Sequence, residues 1–183
     1  MTSIKKFKYK LIKNFFSEEE INILKLYCIK RLNEDWTCDS QSPFTPSWRE
    51  DILMNTLLET KLPRIEKETK LKLFKTYAYW RYYMHGSLLK DHKDRPSCEI
   101  SVSACIHKTE DWPIHMEGNW MEIEEGDAVI YLGCQIEHGR KQFKGDGCAQ
   151  VFMHYVDAHG EYSNFKDDNK YAIKEWKKNN DRR

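Results

Sequence analysis

The sequence predicts a mainly β protein: a jelly roll whose N-terminal helices pack on its larger sheet. Two amphipathic helical stretches lie within the first 70 residues, about eight short alternating strands with closely spaced turns follow, and few helical stretches interrupt them. With 183 residues the chain is long enough for one hydrophobic core and short for two. A single domain over 1–183 is expected, with helical support over 1–70, a jelly-roll core over 71–158 and a tail over 159–183.

The first stretch, "FKYKLIKNFF", alternates loosely like a strand and runs into "SEEE", where Ser17 and Glu20 have the spacing of a capping box. Ile21, Leu24, Cys28 and Leu32 then recur at helical spacing, which predicts an amphipathic helix to about residue 33. "EDWTCDSQSPFTPS" carries turn formers and two prolines and reads as a loop. "WREDILMNTLLETKLPRIEKETK" reads as a second helical stretch interrupted near Pro63. From "LKLFKTYAYWRYY" onward, β-branched and aromatic residues with period-two alternation predict strands near 72–84, 98–107, 112–117, 119–124, 127–132, 135–139 and 149–157. Turns fall at Gly118-Asn119, at Gly126 and at "KGDG". The tail predicts one or two amphipathic turns around Tyr171 and Trp176 before fraying.

Thirty basic and twenty-nine acidic residues give a net charge of +1, and the lysines are interleaved with acids. No basic stripe for a phosphate backbone stands out, so no nucleic-acid partner is expected. The longest apolar run is the short "AVIYL", and the start lacks the apolar core of a leader, which predicts a soluble, unprocessed cytoplasmic protein with no membrane partner. Six cysteines without a CxxC pair read as free thiols in a reducing compartment.

In "LLKDHKDRPSCEISVS", His92 and Asp94 stand two apart at a strand entrance. On an extended chain residues i and i+2 share a face, roughly 6 to 7 Å apart, so imidazole and carboxylate can converge on one ion while Lys93 points away. His138 in "CQIEHGRKQF" is the candidate third ligand, following the GD turn and the apolar strand "AVIYL". Two histidines and one carboxylate leave metal positions open, a donor set that suits non-haem iron(II). The alternative is two solvated polar residues on a loop, since HxD is short and seven histidines guarantee one downstream.

Three parts occur in order: an aromatic strand ending in tyrosine and a glycine turn ("YWRYYMHGS"), the "HKD" unit, and "EEGDAVIYLGCQIEHG" with its distal histidine, followed by the last strand "CAQVFMHYVD". In these the chain resembles the iron(II)/2-oxoglutarate dioxygenases, in particular the prolyl 4-hydroxylase-like branch, over about residues 72–157; the N-terminal part agrees in layout only. The resemblance implies a double-stranded β-helix in which His92, Asp94 and His138 hold Fe(II). It implies 2-oxoglutarate as co-substrate, O2 as oxidant, and hydroxylation of an unidentified substrate with release of succinate and CO2. Tyr83 corresponds to a tyrosine that hydrogen-bonds the co-substrate.

The family's anchor for the far carboxylate is an arginine or lysine about ten residues after the distal histidine. Here that position is Cys148, with Gln150 next on the same face, which departs from the pattern. Arg140 is the substitute, because it projects to the same side as His138 and its fork suits a carboxylate; Lys144, in the loop, is a weaker choice. Arg81, on one strand face with Tyr79 and Tyr83, must find an anion inside, a co-substrate or a salt bridge to Glu99. Gln150 and Arg95 are further pocket candidates, Arg95 alternatively capping a loop. The set Glu99, Ser101, Ser103 and Cys105 lines either a pocket or a wet sheet face, and His154 reads as a satisfied interior residue.

Two other classes compete: a non-catalytic jelly-roll binding module, and a cupin-like metal enzyme that does not use 2-oxoglutarate. The substrate, a small molecule or a peptide, is set by loops such as 34–50, 85–91 and 107–111. Neither its identity nor the oligomeric state follows from the sequence.

Overall fold

The computed structural model describes residues 8–180. In chain order its strands are β1 Tyr9–Ile12, β2 Thr37–Asp39, β3 Ser42–Arg49, β4 Leu73–Tyr83, β5 Leu89–His92, β6 Ile100–Lys108, β7 Ile114–Met116, β8 Asn119–Met121, β9 Ala128–Leu132, β10 His138–Arg140 and β11 Cys148–Asp157. The helices are α1 Glu18–Arg31, α2 Ile52–Thr60, α3 Leu62–Thr69 and α4 Lys170–Asn180. The strands form a seven-stranded sheet, β1-β9-β6-β11-β4-β3-β2, and a four-stranded sheet, β5-β10-β7-β8, the two layers of a jelly roll.

The helices form as the sequence dictates. Ser17 Oγ accepts from the Glu20 amide at 3.2 Å while the Ser17 amide donates to Glu20 Oε2 at 2.8 Å, so both halves of the capping box start α1. Ile21, Leu24 and Cys28 are the buried stripe of α1. The second helical stretch breaks at Lys61, and Pro63 falls in the first turn of α3, where its missing amide costs nothing. Met54, Leu58 and Ile65 from α2 and α3 are buried in one cluster with Trp80, Met153 and Tyr155 of the larger sheet. Each such side chain contributes about 1.5–3 kcal/mol of burial. The Tyr155 hydroxyl also donates to the Leu58 carbonyl at 2.8 Å, tying β11 to the end of α2.

The sheet differs from the sequence expectation in three places. The proline-containing segment read as a loop is the β2–β3 hairpin, which extends the larger sheet next to β4. Its hold is tertiary: Trp48 stacks on Trp80 with ring centroids 4.0 Å apart. Pro43 and Pro46 are tolerated because only Ser47, Trp48 and Arg49 pair with β4. The short strand β5 was also not expected, and the chain turns between β7 and β8 at Glu117-Gly118, one residue early, both with positive φ. Of the first predicted strand, Phe7 lies outside the described residues. No helix among the described residues is long and apolar enough to cross a membrane.

Candidate metal centre

The smaller sheet brings the histidines together. His138 on β10 is the direct cross-strand partner of His92 on β5, which places their rings 4.4 Å apart, centroid to centroid. Asp94, two residues past His92, presents Oδ1 3.5 Å from His92 Nε2 and 3.7 Å from His138 Nε2. The ligand atoms of all three lie within 4.8 Å of one another, a span one ion can bridge.

Both imidazoles are set in the tautomer that ligation needs. His92 Nδ1 lies 2.8 Å from the Lys90 carbonyl and His138 Nδ1 lies 2.9 Å from the Ile136 carbonyl. A carbonyl only accepts, so each Nδ1 carries the hydrogen and each Nε2 keeps its lone pair. Burial holds the His138 imidazole below its ordinary pKa, favouring the neutral form. Burial would raise the Asp94 carboxyl, but the neighbouring His92, His138 and His154 imidazoles and the Ser101 hydroxyl outweigh it and hold the group at about 2.

A second layer fixes the carboxylate. Its amide donates to the Gly133 carbonyl at 2.9 Å, and Ser101 Oγ donates to Oδ2 at 2.9 Å. Ser101 has one hydrogen and the charged oxygen claims it, so His154 Nδ1, 3.0 Å from the same hydroxyl, is its donor. His154 is buried and, because burial drives its pKa down to about 4, neutral, with Nε2 lacking a partner. Gly133 makes the close approach possible: a Cβ there would sit 2.5 Å from Asp94 Oδ2 and 2.7 Å from Ser101 Oγ.

The same cavity is lined by a cation, Arg140, that has no anionic partner among the described residues. Arg140 is 3% exposed, its guanidinium stacks 4.8 Å from the Trp112 ring and donates through Nη1 to the Trp112 carbonyl, and Nη2 has no partner. Tyr83 is buried beside it, with its ring edge-on to Trp112. An isolated buried guanidinium is costly, and a carboxylate is its natural complement. The donor set suits a metal ion, and the orphaned guanidinium suits a carboxylate.

The cavity itself is narrow, about 10 Å³, close to the room of one water. Gln41, at the turn between β2 and β3, closes it: its Nε2 donates to His92 Nε2 at 2.8 Å and its Oε1 accepts from Arg81 at 3.1 Å.

The remaining predicted residues sit elsewhere. Arg81 is buried and does find an anion, but the partner is Asp39 of β2 at 2.5 Å and not Glu99, whose carboxylate accepts from the Asp157 amide. Arg95 is a strut: it pairs with Asp168 at 2.8 Å and lies over the Tyr77 ring. Gln150 is buried against Cys148 and Ser103, and Lys144 is exposed in its loop. None of these four contributes to the cavity wall. Glu99, Ser101, Ser103 and Cys105 are all buried, so that face of β6 is not a wet one. Sequence reasoning missed Gln41, because no local pattern announces a contact made across 51 residues. It passed over Ser101 and His154 as partners, although strand alternation had placed Ser101 on the polar face.

No protein-family model matches the chain, and no curated protein matches it. Solved structures do. A prolyl-4-hydroxylase from Pseudomonas putida superposes with a TM-score of 0.67 at 12% identity, over 85% of this chain and 95% of that one. HygX from Streptomyces hygroscopicus, with nickel and 2-oxoglutarate bound, gives 0.66 at 11% identity over 85% of each chain. The non-haem α-ketoglutarate-dependent epimerase SnoN from nogalamycin biosynthesis gives 0.70 at 8% identity, over 85% and 79%. The chain has the double-stranded β-helix fold of these solved structures.

Proposed function

We propose that the protein is an Fe(II)- and 2-oxoglutarate-dependent dioxygenase that hydroxylates a small-molecule or peptide substrate. The observation that carries this reading is the pairing of two features in one cavity: a His92, Asp94, His138 donor set and the buried Arg140 guanidinium, whose Nη2 has no partner among the described residues. Bound there, iron(II) would supply the oxygen chemistry that couples decarboxylation of 2-oxoglutarate to succinate and CO2 with oxidation of a C–H bond.

The chain's own contribution is placement. His92, Asp94 and His138 would hold the ion. Arg140 would take the far carboxylate of the co-substrate in place of a cation on the last strand, where this chain has Cys148, and Tyr83 lies beside Arg140. The apolar walls, including Leu89, Ile114 and Phe152, keep water from the reacting groups. Gln41 must leave His92 for the ion and co-substrate to enter.

The test is turnover. With ferrous iron and 2-oxoglutarate in air, the protein should form succinate, slowly even without its substrate, and His92→Ala and Arg140→Ala should each abolish it. Succinate formation that survives either change overturns the assignment.

A further inference from the structure

A second cavity, of about 370 Å³, lies outside the narrow one, between the β2–β3 turn and the β4–β5 loop. Gln41 lines both, so the outer cleft and the narrow cavity adjoin at that side chain. Its walls belong to segments that the sequence marks as specificity loops, 34–50 and 85–91, and to Met84, between the end of β4 and the second loop.

We propose that this cleft binds the substrate of the oxygenase reading above, on which the proposal rests, and that the substrate is an apolar acid, a hydrocarbon or aromatic body carrying an anionic group. Phe44, Leu88 and Met84 are 81%, 41% and 39% exposed and converge on it, an apolar surface that gains by being covered. Lys90 supplies the charge: it has no ion-pair partner among the described residues, and no aspartate or glutamate lines the cleft.

The cleft is preformed. Phe44 is held at φ +61°, an unfavourable conformation for an aromatic residue, and the turn that holds it is pinned. Ser42 Oγ lies 2.7 Å from Thr45 Oγ1, which lies 3.2 Å from Ser87 Oγ on the opposite wall. Ser87 in turn caps the Met84 amide at 3.0 Å. Strain maintained by a hydrogen-bonded clamp across both walls, with the aromatic side chain left in solvent, is what a rigid recognition surface requires. Gln41, once off His92, is the polar group between the bound acid and the ion, positioned to orient the substrate through its amide.

The probe is 1-anilinonaphthalene-8-sulfonate, an aromatic body with one anionic group, titrated by fluorescence against the full chain. Its uncharged counterpart N-phenyl-1-naphthylamine serves as control. Phe44→Ser should weaken the sulfonate about tenfold, as loss of a covered aromatic surface predicts. Lys90→Gln should weaken it about threefold and leave the neutral probe unchanged, as expected for one exposed charge. Both side chains are exposed, so neither change threatens folding. Equal binding of the sulfonate to all three proteins overturns the proposal. The iron and 2-oxoglutarate absorption band is read on the same proteins. A normal band with unchanged probe binding defeats the cleft alone, whereas the expected probe pattern with no band defeats the oxygenase reading and with it the substrate role.

Discussion

The side-chain amide of Gln41 donates to Nε2 of His92 at 2.8 Å, so the tip of the β2–β3 hairpin uses the one lone pair that a metal on His92 needs. Arg81 holds the other end of the amide and is itself held by Asp39, which makes the contact part of a chain from β2 to the metal centre.

Because the two compete, Gln41→Ala should bind metal more tightly than the native protein. A neutral hydrogen bond contributes about 0.5–1.5 kcal/mol, which corresponds to a gain of about two- to tenfold. Cobalt(II) titration followed by absorbance reads it, and weaker binding by the variant contradicts the competition.

Arg140 should be a liability to the fold and an asset to binding. Arg140→Met removes a buried cation whose Nη2 is unpaired, so without co-substrate the variant should melt at or above the native temperature. It should lose the thermal stabilisation given by 2-oxoglutarate with cobalt(II), whereas Lys144→Ala should keep it. Differential scanning calorimetry of the three proteins measures both effects; retained stabilisation in Arg140→Met removes the residue from its role.

The Ser101 hydroxyl fixes the ligand carboxylate, and loss of such a partner typically costs 10- to 100-fold in metal affinity. Ser101→Ala should therefore weaken cobalt(II) by about tenfold while leaving the far-ultraviolet circular dichroism intact. Affinity equal to native would show that Asp94 is positioned by Gly133 and the backbone alone.

The clustering of His92, Asp94 and His138 was legible in the sequence because their placement is local. His92 and Asp94 need only the period-two spacing of extended chain, and His138 needs only to follow the apolar strand and its turn, although it opens β10 where the sequence predicts it to close a strand. Arg140 was legible for the same reason, two residues beyond His138 on the same face. What was not legible depends on partners far away in the chain. The β2–β3 hairpin reads as a loop because Pro43, Pro46 and its turn formers carry no strand signal. It exists because Trp48 finds Trp80 and Asp39 finds Arg81. Gln41, and with it the closure of the cavity, was hidden along with that hairpin.

Glu99 makes stability depend on pH. Burial, with the neighbouring Asp157 and Glu161 charges, lifts its carboxyl from 4.5 to about 7 against the opposing hydrogen bond from the Asp157 amide. The folded state therefore binds the proton more tightly than the unfolded chain. The stability this confers is complete below about pH 4.5 and is lost as pH rises through about 7. Glu99→Gln keeps an acceptor for the Asp157 amide and abolishes that loss. Urea unfolding at pH 5 and pH 8 should show the variant gaining about 1–3 kcal/mol on native between the two. A constant difference across that window would place the Glu99 carboxyl in solvent.

The central claim is that His92, Asp94 and His138 hold iron and that a keto acid chelates it once Gln41 has left His92, and anaerobic visible absorption tests it most directly. Ferrous iron added with 2-oxoglutarate should give a weak charge-transfer band that is absent with succinate and lost in Asp94→Ala. A colourless native protein, or a band that persists in Asp94→Ala, would contradict the account.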